Sequence, residues 1–252
     1  MRILISIKQR RENHALTLLE LLVTLSVVFI LAAMLMPISS KPKGRKYITA
    51  RFEIADIVTT IEAYKQDYGR YPVPTNIETA ALASKADFTY GGPDLNAILG
   101  PGANTPQNRD VMAILMDITK CPDGTPTVNA DHNLNPRQVK YLNAKLSGDT
   151  NSPGVGNDLV YRDPWGHPYI ISLDLNGDTR CRDAFYKKQQ VTRSNGSIGY
   201  NGLFNSSDTN GNSDAFELNR PVMVWSLGPD GKADGSKPSA SPPNKDNILS
   251  WQ

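Results

Sequence analysis

Glu20 is the first residue of the chain whose chemistry is out of place. It is the one ionisable side chain in the run 16–36, LTLLELLVTLSVVFILAAMLM. A carboxylate inside an apolar span costs about 2.5 kcal/mol or more at a bilayer centre, and it is kept where something neutralises it. Cleavage between Ala15 and Leu16 would create such a partner, a new amino group in the same chain or a neighbour. Oxygen-rich turns are the second signal. Asp174-Leu-Asn-Gly-Asp178 and Asp208-Thr-Asn-Gly-Asn-Ser-Asp214 set oxygens at alternate positions, as hard cations prefer. Neither has the Gly at the sixth position and Glu at the twelfth of an EF-hand loop, so both read as solvated turns. His14, His132 and His167 match no zinc spacing, and His167 reads as a loop residue. Cys121 and Cys181 are too few for a metal knuckle. On the oxidising side of a membrane they are permitted to form a disulfide, although 59 intervening residues say nothing about their distance. No Gly-x-Ser-x-Gly, Walker A, His-Glu-x-x-His or dinucleotide fingerprint occurs, so no catalytic residue is assigned and no enzyme is expected. A net charge of +2 gives no footprint for a nucleic-acid partner.

The elements that must carry these groups follow from patterning. Hydrophobic residues make up 39% of the 252 and charged residues 21%, enough for a packed core. Residues 1–15 carry Arg2, Lys8, Arg10 and Arg11 against Glu12, a basic leader that belongs on the cytoplasmic side. As a helix the apolar run spans roughly 31 Å, the thickness of a bilayer core. Ala32 and Ala33 near its far end would suit a cleaved signal peptide, but Glu20 argues against one. Residues 38–46, ISSKPKGRK, predict a kinked or weakly helical neck. From Tyr47 the helical period returns: Ile54, Ile57, Val58, Ile61, Tyr64 and Tyr68 form one core-facing stripe, with Arg51, Glu53, Glu62 and Lys65 largely off it. Gly69, Pro72 and Pro74 stop this helix. Residues 73–157 read as a variable insert with loop punctuation, a short helix over 110–118 and another over 138–146. From Asp158 the texture turns to short strands, at 159–161, 169–172 and 221–226, with four Asn-Gly pairs favouring tight turns.

Three motifs carry a family resemblance. Ala15-Leu16-Thr17-Leu18-Leu19-Glu20 resembles the cleavage and methylation motif of type IV pilins and of the pseudopilins of type II secretion, with Ala15 for the usual Gly and Leu16 for the usual Phe. Pro37 falls where many members kink the helix. The 62–72 stretch, EAYKQDYGRYP, and Asp163-Pro-Trp-Gly-His-Pro-Tyr169 are similar to segments of the major pseudopilin. Ser226-Leu-Gly-Pro-Asp-Gly231 followed by Asn247-Ile-Leu-Ser-Trp251 resembles the loop that closes that protein around calcium, with Asn247 for the usual Asp. The resemblance covers 15–72 and 158–252.

It implies an α+β, pilin-like fold: a long N-terminal transmembrane and amphipathic helix packed on a small antiparallel β-sheet, with an inserted middle region. The segments would be a leader 1–15, a transmembrane segment 16–37, its periplasmic continuation 38–72, the insert 73–157 and a sheet with a calcium loop at 158–252. It also implies removal of residues 1–15 by a prepilin peptidase and N-methylation of Leu16. Glu20 would meet that terminus in an adjacent subunit. Structural Ca2+ would be held by the carbonyls of Leu227 and Lys232 and the side chains of Asp230, Asp246 and Asn247, with Asp234 as a substitute. The expected function is that of a pseudopilus subunit in the bacterial inner membrane, single-pass, with its C-terminal domain in the periplasm. It would polymerise with its own kind and other pseudopilins on an inner-membrane platform to drive export across the outer membrane. A type IV pilus subunit, which more often ends in a disulfide-closed loop, and a membrane-tethered binding protein that never polymerises are the alternatives.

Overall fold

The computed structural model describes residues 17–35 and 42–252, so Ala15, Leu16, Pro37 and residues 38–41 of the expected neck lie outside the described residues. The chain divides into two compact units, one running to Pro42 and one covering Lys43–Gln252.

In the first unit, α1 (Leu18–Leu35) is apolar on every face, and Leu18, Leu19 and Phe29 are 82%, 71% and 72% exposed. A helix that is hydrophobic all round is normally buried in something. Among the described residues no helix is long and apolar enough to cross a membrane. The 18 residues of α1 rise about 27 Å against a hydrocarbon core of about 30 Å.

The second unit opens with α2 (Pro42–Tyr68). Its stripe lies where the periodicity puts it: Ile54, Ile57, Ile61 and Tyr64 are buried together with Ala50, while Val58 and Tyr68 pack at the margin. Glu53 is not a free surface carboxylate. The Tyr169 hydroxyl donates to it at 2.5 Å, and burial raises its pKa. Gly69 ends the helix at φ +70°, a conformation glycine adopts without steric cost. The chain then folds back so that Lys65 Nζ sits 3.9 Å from the centroid of the Tyr71 ring, a cation–π contact.

The main sheet has four antiparallel strands in the order β1 (Phe88–Tyr90), β4 (Ile170–Leu173), β9 (Val222–Ser226) and β10 (Ile248–Leu249). Alternation along its strands serves two cores. Ile171, Leu173, Val222 and Val224 join the cluster of α2, whereas Ile170, Met223 and Trp225 join a second cluster with Phe185, Tyr186 and Trp251. The sheet is therefore covered on both faces. Between β1 and β4 the chain makes a hairpin from β2 (Gly154–Val155) and β3 (Tyr161–Arg162). A meander of β5 (Arg193–Asn195), β6 (Ile198–Gly199), β7 (Phe204–Asn205) and β8 (Phe216–Glu217) precedes β9.

Residues 73–157 are not an appendage. After α3 (Thr75–Ser84), β1 from this stretch forms an edge of the main sheet; α4 (Gly92–Leu99) follows, and α5 (Arg109–Leu115) buries Val111 through Leu115 in the first core. The helix expected over 138–146 does not form. Gln138 has φ +55°, and the N–H groups of Tyr141 and Leu142 both donate to the Leu115 carbonyl, which docks the segment onto the end of α5 in extended form. Cys121 and Cys181 are both free and buried, the first in the α2-side core and the second in the other.

Candidate functional sites at the helix start and the C-terminal loop

Thr17 and Glu20 close the start of α1 reciprocally. The Thr17 N–H donates to Glu20 Oε2 at 2.9 Å, and the Glu20 N–H donates to Thr17 Oγ1 at 3.2 Å. This is a capping box, which satisfies two helix-terminal donors within the chain itself. The Thr-x-x-Glu spacing at 17–20 is the sequence signal for it. Glu20 thus has a local partner before any neighbour is considered.

The second site is the loop 227–247. It leaves the sheet at Ser226 and returns at Ile248, and these two residues are directly paired between β9 and β10. At the departing end, buried Asp163 accepts from the N–H groups of Trp165 (2.9 Å) and His167 (3.0 Å) through Oδ1, and from the Ser226 hydroxyl (2.5 Å) through Oδ2. Ser226 Oγ in turn accepts from the Gly228 N–H at 2.9 Å. One carboxylate therefore shapes the Trp-Gly turn and fixes the start of the loop. Burial pushes its pKa up, against the pull of its donors. At the returning end, Asn247 Nδ2 donates to the Tyr186 hydroxyl at 2.9 Å, and Tyr186 stacks edge-on with Trp251 and Trp225. Inside the loop, buried Asn244 acts as a bracket. Its Nδ2 donates to the carbonyls of Asp234 (2.9 Å) and Lys237 (2.8 Å), and its Oδ1 accepts from the Asp234 N–H (2.7 Å). Nothing in its surroundings in sequence announces that role.

The expected calcium ligands are distributed unevenly around this loop. Gly228, at φ +70°, lets the chain lie directly against the Asp246 carbonyl, where a Cβ would collide. The Asp246 carboxyl has its pKa raised, by burial first and then by the neighbouring Asp230 carboxylate. Asn247 Oδ1 is buried with no hydrogen-bond partner, an acceptor left over. Leu227 is buried, and the Lys232 N–H donates to Asp230 Oδ1 at 2.9 Å. Asp234 is otherwise engaged: it accepts from the Ser236 N–H and hydroxyl and pairs with Lys237. Among the described residues no three His, Cys, Asp or Glu side chains gather as metal ligands. Asp230 thus lies near enough to Asp246 to act on its carboxyl, whereas Asp234 is engaged with Ser236 and Lys237. His167 lies against Gly231, where a Cβ would strike its imidazole, so it packs on the loop. The acid-rich turn at Asp174 is closed on itself, with both carboxylate oxygens taken by the N–H groups of Gly177, Asp178 and Thr179. Asp208 likewise accepts from the N–H groups of Asn210 and Asn212.

No family model matches the chain, and no solved structure matches it. Over 65 residues it is 35% identical to the type II secretion system core protein G of Pseudomonas aeruginosa. The matched stretch is 25% of this chain and 46% of that protein, so the chain spans about half the length of the curated relative.

Proposed function

We propose that this protein is a structural subunit of a type II secretion pseudopilus and has no catalytic activity of its own. In this reading a prepilin peptidase cuts between Ala15 and Leu16, and Leu16 is N-methylated. Residues 16–37 anchor the chain in the bacterial inner membrane as a single pass, with the C-terminal domain in the periplasm. The chain then polymerises through its N-terminal helix with further copies and other pseudopilins, on the inner-membrane secretion platform, and the filament helps drive export across the outer membrane. The observation that carries the reading is the 35% identity to a type II secretion core protein over 65 residues. The unpartnered apolar surface of α1 supports it, because such a helix needs lipid or other helices around it.

The same reading gives the loop a structural Ca2+. Bound there, the ion would supply positive charge between Asp230 and Asp246. The chain's part is to present these carboxylates, the leftover Asn247 Oδ1 and the carbonyls of Leu227 and Lys232, and so to hold the C-terminal loop. Asn247 brings one charge fewer than Asp would, which makes the site weaker.

One observation favours the membrane-tethered alternative: the capping box gives Glu20 a use in a subunit that never polymerises. The two readings separate on Glu20→Gln, since Gln keeps a capping side chain and loses the charge. For the pseudopilus, mass spectrometry finds methyl-Leu16 at the mature start, and both Glu20→Gln and Glu20→Ala insert in the membrane but lose filament yield. An intact Met1, or a start beyond Ala33, overturns the reading. Wild-type filament yield in Glu20→Gln would assign Glu20 to helix capping alone.

A further inference from the structure

Between Glu20 and Glu53 the chain carries no acid, and Lys41, Lys43, Arg45, Lys46 and Arg51 crowd the last part of that interval. These cations gather at the start of α2, with only residues 36–41 between that helix and α1. Arg45, Lys46 and Arg51 are exposed, and none of the ion pairs among the described residues involves them. A run of charge alone is a solvated face. Here the same face also shows apolar side chains. Arg45, Ile48 and Phe52 are spaced three and four apart, which puts them on one side of the helix. Ile48 and Phe52 are 58% and 72% exposed, on the side away from Ala50, Ile54 and Ile57 in the core.

The carboxylates around this stretch are engaged elsewhere. Glu53 accepts from the Tyr169 hydroxyl on the side of the domain. Burial first, and then Asp246 and Asp230, raise the pKa of Tyr47, whose ring packs edge-on against Trp165 with centroids 5.2 Å apart. Those two acids therefore lie toward the domain and not on the outward face. Asp56, exposed and one turn past Phe52, is the first acid on the outward face and ends its basic part. Cations that flank an exposed aromatic and an exposed aliphatic side chain are what a helix in a membrane interface presents, the charges at the headgroups and the apolar groups beneath them.

We propose that the first three turns of α2 dock by their outward face on an anionic bilayer surface. Arg45 on that face, with Lys46 and Arg51 at its flanks, meets the lipid phosphates, and Ile48 and Phe52 enter between the headgroups. The opposite side of the helix stays packed under the domain, so docking needs no change in the core. The proposal takes from the reading above only that the chain lies at a membrane, and it does not depend on polymerisation.

The test uses the full chain reconstituted in vesicles of phosphatidylcholine, alone or with about 30% phosphatidylglycerol. Phe52→Trp places an indole on the outward face, and lipids with brominated acyl chains quench it only where it enters the bilayer. Read as the difference from wild type, quenching should be at least about 2-fold greater in the anionic vesicles and should weaken at high salt. Adding Arg45→Glu and Lys46→Glu to Phe52→Trp should bring it down to the level of the zwitterionic vesicles. Equal quenching in both compositions, or none in either, overturns the proposal. So does an indole shielded in proportion to the protein-to-lipid ratio and not to lipid charge, which would assign the face to a second copy. Flotation after an alkaline wash reads the anchor separately. A chain that washes off, yet shows quenching that depends on anionic lipid, would overturn the anchoring by residues 16–37 and sustain the docking of α2.

Discussion

Asp163→Ala removes the one acceptor shared by the Trp-Gly turn and the start of the C-terminal loop. Three donors lose their partner: the N–H groups of Trp165 and His167 and the Ser226 hydroxyl. A buried donor left unpaired costs about 1–3 kcal/mol. The Ser226 hydroxyl can rotate, and removing a buried carboxylate recovers some of its own desolvation, so the net loss is about 3 kcal/mol. For a unit of this size each kcal/mol moves Tm by about 2–4 °C, which predicts a fall of about 6–12 °C. Asp163→Asn keeps one oxygen for the two backbone donors and should cost about 1 kcal/mol. Ser226→Ala cuts the link to the loop while sparing the turn, so its effect should fall between the two. Thermal melts followed by tryptophan fluorescence give the stability, and limited proteolysis reports the loop, since 227–247 should be cut faster in Asp163→Ala. A melting temperature within about 2 °C of wild type, with unchanged cleavage of the loop, would refute the claim that this carboxylate holds the two segments together.

Three further outcomes are expected. Millimolar calcium should raise the melting temperature of the wild type and release heat on titration, and Asp230→Ala should melt like wild type without calcium but lose that rise; no heat and no rise would mean no ion site. Asp87 has its pKa raised from 3.8 to about 7, chiefly by burial, with Asp174 and Asp178 adding to the effect and Arg182 opposing it. A fold that holds this proton more tightly than the unfolded chain loses stability as pH rises from about 4 through 7, so Asp87→Asn should raise Tm at pH 8 and change it little at pH 4; the reverse order would refute the assignment. Thiol labelling under denaturing, non-reducing conditions should modify both Cys121 and Cys181, and protection of both would restore the bridge.

The patterned parts of the chain were legible because their physics is local. The α2 stripe, its stop at Gly69 and the core strands β4 and β9 follow from periodicity and turn chemistry. The Asn195-Gly196 and Asn201-Gly202 pairs lie at the β5–β6 and β6–β7 turns, and Asn201 takes φ +50° as such a turn demands. What failed was non-local. The 138–146 segment has acceptable helix formers, but its N–H groups are claimed by the end of α5, and no single-segment pattern carries that information. The second core was invisible for the same reason: no local pattern in residues 181–203 shows that Phe185, Tyr186 and Val191 pack on the far face of the sheet. At the sites, the resemblance pointed to Asn247, which donates to Tyr186 at the returning end of the loop, whereas Asn244 and the partnership of Asp163 with Ser226 appear only once the chain is folded.

The loop 227–247 shows why side-chain amides matter to the calcium reading. Its ends are pinned by strand pairing of Ser226 with Ile248, by Asp163 at the departing side and by Asn247 and Tyr186 at the returning side. Its middle is gathered by Asn244, whose amide draws in the Asp234 and Lys237 carbonyls. A cation is often used to collect carbonyl oxygens in this way, but here a neutral side chain has already done so for half of the loop. What is left lies at the other half, where burial and then Asp230 raise the pKa of Asp246 and Asn247 Oδ1 has no donor. A positive ion at that point would relieve both defects at once, and a proton on Asp246 would relieve only the first. If the proposed ion binds, its contribution would therefore be confined to the edge that joins residues 227–230 to 246–247, the rest of the loop being held by Asn244, Asp163 and strand pairing.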